Sequence, residues 1–143
     1  MDCINLKTVS IPDTVISIGR GAFGDCTNLE EVELPKGLTE IKDTFFYGCK
    51  SLTKIRIPEG VQSVGYNAFE QTPIKEIIFP TTLKTLDTDV VAWCEKLEKI
   101  VFKGTTPPTI DYSSLKRKVE NPPLKIYVPK GKKQTYINSS EEW

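Results

Sequence analysis

The chain has 143 residues, 38% of them hydrophobic, with 19 basic against 19 acidic side chains and no histidine. That length fits one domain, the balanced charge gives no generic attraction to polyanions or nucleic acid, and no stretch approaches the ~18 apolar residues of a membrane span. Without histidine, Ser/His and Cys/His catalysis and histidine metal sites are excluded. Met1-Asp2-Cys3 lacks the basic and apolar regions of a signal peptide, so this start is expected to belong to an expressed or processed fragment.

The chain enters a repeat at once. Residues 3–23 read CINLKTVSIPDTVISIGRGAF, residues 26–46 read CTNLEEVELPKGLTEIKDTFF, and residues 49–69 read CKSLTKIRIPEGVQSVGYNAF, two steps of 23. A step of 22 leads to QTPIKEIIFPTTLKTLDTDVV at residues 71–91, and a fifth start, CEKLEKIVFK, opens at Cys94. A fixed period of this size means a solenoid. Within each unit Leu6, Leu29, Leu52, Ile74 and Leu97 form one apolar column, Val9, Val32, Ile55, Ile77 and Ile100 the next, and Ile11, Leu34, Ile57, Phe79 and Phe102 a third. The last two are two residues apart, the spacing of a half-buried strand. Pro12, Pro35, Pro58 and Pro80 close that strand, because proline brings no N–H to a ladder. Further columns follow at Val15, Leu38, Val61, Leu83 and at Ile18, Ile41, Val64, Leu86, then a corner at Ala22-Phe23, Phe45-Phe46, Ala68-Phe69 and Val90-Val91. Phe23, Phe46 and Phe69 are expected to stack as a buried aromatic column. No unit of this size covers its own apolar side, so burial must occur between neighbouring coils.

Cys3, Cys26, Cys49 and Cys94 share one column, with Gln71 in the missing place. Their spacing is the repeat period, so small buried thiols are the expected reading. Disulfides or a metal between coils stacked ~4.8 Å apart are the alternative.

The pattern C-x-x-L-x-x-[VI]-x-[IL]-P-x-x-[VL]-x-x-[IV]-x-x-x-[AF]-F resembles the BspA-like leucine-rich repeats across residues 3–103. The resemblance implies an α/β leucine-rich repeat fold: a right-handed, β-rich solenoid of about 23-residue repeats with short parallel strands and 3₁₀ or helical turns. It also implies a non-enzymatic module, extracellular or at the cell surface, that serves adhesion by binding a host or microbial protein or glycan, without a cofactor. Departures from the pattern are Gln71 and Pro73, Lys42 where other copies have Gly19 or Gly65, and Val90-Val91. Nothing before Cys3 is long enough to cap the first coil, so upstream repeats or self-association through this end are expected.

After Phe102 the period breaks. Pro107-Pro108 and Pro122-Pro123 flank residues 113–119, a predicted short helix with Ser113 or Ser114 as N-cap. Leu124, Ile126 and Val128 then restore a strand, closed by Pro129. With the Lys/Gly turn at residues 130–133, and Tyr136 and Trp143, this resembles the family's C-terminal cap. The organisation is therefore a solenoid at 1–103, four full repeats and a partial fifth, with a capping segment at 104–143.

Chemistry is sparse in this pattern. Neither G-x-x-x-x-G-K-[ST] nor G-x-G-x-x-G occurs, and Gly19-Arg20-Gly21 sits at a repeat corner. Glu30, Glu31 and Glu33 read as a solvated face, not an acid/base pair, and Asp87-Thr88-Asp89 as a corner, not a calcium loop. Lys116-Arg117-Lys118 and the lysines at 130–133 read as solubilising. Asn138-Ser139-Ser140 is a sequon, relevant only to a secreted eukaryotic protein. What remains is surface. Between the inward columns lie two outward rows, Thr8, Glu31, Lys54, Glu76, Lys99 and Ser10, Glu33, Arg56, Ile78, Val101, the second extended by Tyr127. Arg56, Ile78, Val101 and Tyr127 make the candidate binding face, with Ile78, Val101 and Tyr127 an exposed apolar cluster. The loop at 104–123 folding over that cluster is the competing expectation, and a spacer that displays another domain is the competing function.

Overall fold

The computed structural model describes residues 3–111, 113–117 and 122–141. Its coils run over residues 3–25, 26–48, 49–71, 72–93 and from 94 onward, each opening on the residue of the thiol column. The alternating columns become short strands: β1 (Thr8–Ser10), β2 (Glu31–Glu33), β3 (Glu40–Ile41), β4 (Ser63–Val64), β5 (Glu76–Phe79), β6 (Thr85–Leu86), β7 (Lys99–Phe102) and β8 (Lys125–Tyr127), followed by the helix α1 (Lys133–Ile137). All pairings are parallel, in the sheets β1-β2, β3-β4-β6 and β5-β7-β8. The register is the repeat itself: Val9 pairs with Val32 and Ile77 with Ile100.

Two features of the solenoid differ from the expectation. Residues 54–57 of the third coil form no strand, so the outward rows are split between β2 and β5. The gap faces the coil that is one residue short, and the structure locates that shortening. Thr72, 2% exposed, and not Gln71, stands in the thiol column: its Oγ1 lies 3.4 Å from Cys94 Sγ, and both donate to the Phe69 carbonyl, at 2.8 and 3.0 Å. In the other coils the N–H of Leu6, Leu29, Leu52 and Leu97 closes a four-residue turn onto the carbonyl of Cys3, Cys26, Cys49 and Cys94. Only Pro73 separates Thr72 from Ile74.

The core is a set of stacked columns. Phe23, Phe46 and Phe69 stack nearly parallel, with centroids 5.5 and 5.7 Å apart, and Phe45 meets Phe46 edge-on at 4.8 Å. A second column, Phe79, Phe102 and Tyr136, ties the last coils to α1, and the Tyr136 hydroxyl donates to the Gly104 carbonyl at 2.8 Å. All four thiols are free, Cys3 exposed and the other three buried. Cys49 Sγ donates to the Phe23 carbonyl at 3.0 Å, and burial pushes its thiol up to about 12; burial raises Cys26 and Cys94 as well. In the first coil Leu6, Val9, Ile11 and Ile18 are only partly buried, in contrast with Leu29 and Ile41 of the second.

Each corner turns through two residues with left-handed backbone, a feature outside the hydrophobic pattern. One column is Gly21, Thr44, Asn67 and Asp89, the other Asp25, Gly48, Gln71 and Trp93. The turns aim corner N–H groups at the next coil: those of Phe23, Phe46 and Phe69 donate to the carbonyls of Phe45, Ala68 and Val90 at 2.8–3.0 Å. Gly48 is confined twice, by φ of 68° and by Asp25 Oδ1, which lies 2.3 Å from where a Cβ would stand.

The C-terminal segment continues the stack. Thr109 bridges to Thr85, and its carbonyl accepts from Leu86 N–H at 3.0 Å. The helix expected from Ser113 onward is a turn over its described residues, closed by Asp111: Oδ1 accepts from Ser113 N–H at 2.9 Å, and Ser114 N–H reaches the Asp111 carbonyl at 3.2 Å. Ser114 does not cap a helix, because its hydroxyl reaches the Leu86 carbonyl at 3.1 Å. Nor is Arg117 a solubilising residue. It is buried, with Nη1 donating to the Leu97 carbonyl at 2.7 Å and Nη2 to that of Pro122, so it satisfies the carbonyls of the last coil. Lys118, Val119 and Trp143 lie outside the described residues.

Phe46 is sandwiched and fully buried whereas Phe23 keeps 8% exposure. Phe46→Ala and Phe69→Ala should each cost about 3–5 kcal/mol in a urea titration, and more than Phe23→Ala; equal losses at the three positions would contradict the nearest-neighbour picture. The thiols make a second test. In the unfolded chain they ionise above pH 9, whereas in the buried column Cys49 holds its proton up to about 12. The stability that the protonated column contributes is thus fully present below pH 9 and is lost as pH climbs from there toward 12. Unfolding free energy should decline over that window, and less steeply in Cys49→Ala.

Candidate functional site

The outward side chains of a strand are free of the core, so their exposure and register decide what the surface offers. Register places Ile78 beside Val101 and Val101 beside Tyr127. Ile78 is 39% and Tyr127 47% exposed, with Val101 half-buried between them. The neighbouring row is charged: Lys99 Nζ lies 2.6 Å from Glu76 Oε1 and 5.3 Å from the centre of the Tyr127 ring. The hydrogen bond that the Lys99 ammonium donates to the Glu76 carboxylate raises the Lys99 pKa, which keeps the ammonium charged beside the apolar row. Three of the four predicted face residues therefore meet. Arg56, although exposed, stands in the coil without a strand, and no pairing carries the row to it. On the first sheet the same row is polar, with Ser10 Oγ donating to Glu33 Oε2 at 3.0 Å.

The described part of the loop at 104–123 runs along the other side of the coils. Thr109 sits on β6, Ser114 on the Leu86 carbonyl, and the Arg117 carbonyl accepts from Trp93 N–H. Ile78 and Tyr127 stay exposed.

The carboxylates of the second sheet line a shallow hollow of about 290 Å³, with Glu40, Asp43, Asp87 and Asp111 around it. Their contacts are structural. Asp87 Oδ1 accepts from Thr88 N–H at 2.7 Å, Asp43 Oδ1 from Tyr66 N–H at 3.2 Å, and Asp43 Oδ2 lies 3.2 Å from Arg20. Among the described residues no group of three or more cysteines and carboxylates is arranged to hold a metal ion, and no helix is long and apolar enough to cross a membrane. The hydrophobic columns gave no reason to single out Trp93, which is 46% exposed and lies in a left-handed column. Trp93 ends the one coil that is a residue short, and that 22-residue step was the available signal.

A family profile described as the BspA type leucine rich repeat region, in six copies, matches residues 1–118. Similar solved structures include a leucine-rich repeat protein from Bacteroides ovatus, 24% identical over 88% of this chain and 38% of that one, with a TM-score of 0.74. Another is the T. pallidum leucine rich repeat protein, 33% identical over 70% of this chain and 47% of that one, TM-score 0.68. A third is a leucine rich cell surface protein from Faecalibacterium prausnitzii, 24% identical over 74% of this chain and 41% of that one, TM-score 0.55. The matches at 24% bear on the fold alone. This chain spans less than half the length of each of the three. No curated protein matches the sequence.

Proposed function

Because the chain belongs to the BspA type leucine rich repeat family, we propose that it is a non-enzymatic binding module of a cell-surface or secreted protein, and that the row of Ile78, Val101 and Tyr127 contacts a host or microbial surface protein or glycan. The observation that carries this reading is the exposed apolar and aromatic row on a three-stranded parallel sheet. Holding such side chains in water gains nothing for the fold, and aromatic anchors on a rigid base are what interfaces use. Lys99 and Glu76 form a polar rim beside it. Arg56 joins the face by repeat position and adds a charged contact at its margin.

A second reading has support from the first two coils. Their outward residues Thr8, Ser10, Glu31 and Glu33 are polar, as in repeats that only hold another domain at a distance. Binding to an array of extracellular-matrix proteins, mucins and glycans separates the two readings. The binding module predicts saturable binding by the parent, weakened about thirtyfold when Ile78, Val101 and Tyr127 are all changed to Ser, as loss of a central anchor of ~2 kcal/mol requires. Circular dichroism of the variant should match the parent. No binding by the folded parent would leave the spacer reading.

A further inference from the structure

The one-residue contraction of the fourth coil falls in the turn between Thr72 and Ile74, while the turns on either side, Cys49 to Leu52 and Cys94 to Leu97, keep their full length. A short turn in a stack of equal ones leaves a notch. It measures about 550 Å³ and is open to solvent. Thr72 and Pro73 line it from the short turn, Lys50 from the turn before, and Lys96 and Glu95 from the turn after. Gln71 and Trp93 complete the lining, and Gln71 Nε2 donates to the Tyr47 hydroxyl at 3.0 Å, which fixes its amide there.

Trp93 is the residue the fold does not explain. Its φ is 55°, a backbone conformation that costs free energy for any bulky side chain. The equivalent positions carry Asp25, Gly48 and Gln71, a glycine and short or polar residues better suited to that conformation. The indole nonetheless leaves 46% of its surface exposed, open to a ligand. Two lysines against one glutamate make the notch net positive on a chain with no net charge.

We propose that this notch is a binding site for a short acidic saccharide, with the C–H face of a pyranose ring on the Trp93 indole and its carboxylate held by Lys50 and Lys96. The chemistry disfavours a peptide, which would need an open strand edge or a second apolar wall; Gln71, Thr72 and Pro73 supply neither. A bare inorganic anion would leave the indole without a role. None of these residues belongs to β5, β7 or β8, so the site stands or falls independently of the apolar row.

A Trp143→Phe background leaves Trp93 as the sole tryptophan and its emission as the reporter. Titration with a galacturonic acid tetramer should shift that emission saturably, and the neutral galactose tetramer should bind about fivefold more weakly, the size of effect an exposed charge contact supplies. Lys50→Gln with Lys96→Gln should bring the acidic tetramer down to the neutral one. By calorimetry, Trp93→Gly should lose binding of the acidic tetramer while keeping or raising the unfolding midpoint, because glycine accepts the left-handed backbone. Absence of a saturable response, equal affinity for the neutral tetramer in the parent, binding retained in Trp93→Gly, or a response to short peptides in place of saccharides would each overturn the proposal.

Discussion

Every coil of this protein buries its apolar side only against the next coil, and that single constraint organises the rest. The Phe23, Phe46 and Phe69 rings, the Phe79, Phe102 and Tyr136 column and the thiol column are the same event repeated along the stack. Hydrogen bonding follows the same direction, with corner N–H groups donating forward to the following coil. Stability of this kind is a sum of neighbour terms. A defect in the middle is therefore felt on both sides, and an end coil such as the first keeps its inward residues only partly covered.

Surface charges echo the register without holding it. Lys36 and Asp13 meet at 2.9 Å, Lys99 and Glu76 at 2.6 Å, and Lys103 and Glu59 at 3.2 Å, the first two pairs one coil apart. All are solvated, and pairs of this kind contribute little net stability. Their effect is to make one alignment of neighbouring coils electrostatically consistent. Asp13 illustrates it: the Lys36 backbone N–H and ammonium both bond its carboxylate and hold its pKa below the usual value.

Because the inward columns are spoken for, function is left to positions the fold does not constrain. Two regions stand out by that criterion. On the strand face, Ile78 and Tyr127 are exposed where polar side chains would serve the fold as well. At the corners, the shortened turn at Pro73 and the strained, exposed Trp93 break a pattern that the other coils keep. The described part of the C-terminal segment leaves the strand face open because it extends the second sheet and the corner ladder instead, through Thr109, Ser114 and Arg117.

By itself the sequence determined the solenoid, its inward columns, the strand register and the row of Ile78, Val101 and Tyr127. Period and alternation are local properties, and a stack of equal coils converts them directly into neighbours in space. It misplaced the contraction at Gln71, because aligning letters cannot tell a thiol column filled by Thr72 from one left empty; the hydrogen bonds to Phe69 and the contact with Cys94 decide it. It also read Arg117 as a surface charge and Ser113 or Ser114 as a helix cap. Only the tertiary structure shows that their polar groups satisfy backbone carbonyls and close a turn. The two left-handed columns were likewise invisible, since Asp25, Thr44, Gln71 and Trp93 share no side-chain property. What places them there is a backbone turn needed to reach the next coil, and that need exists only once the coils are stacked.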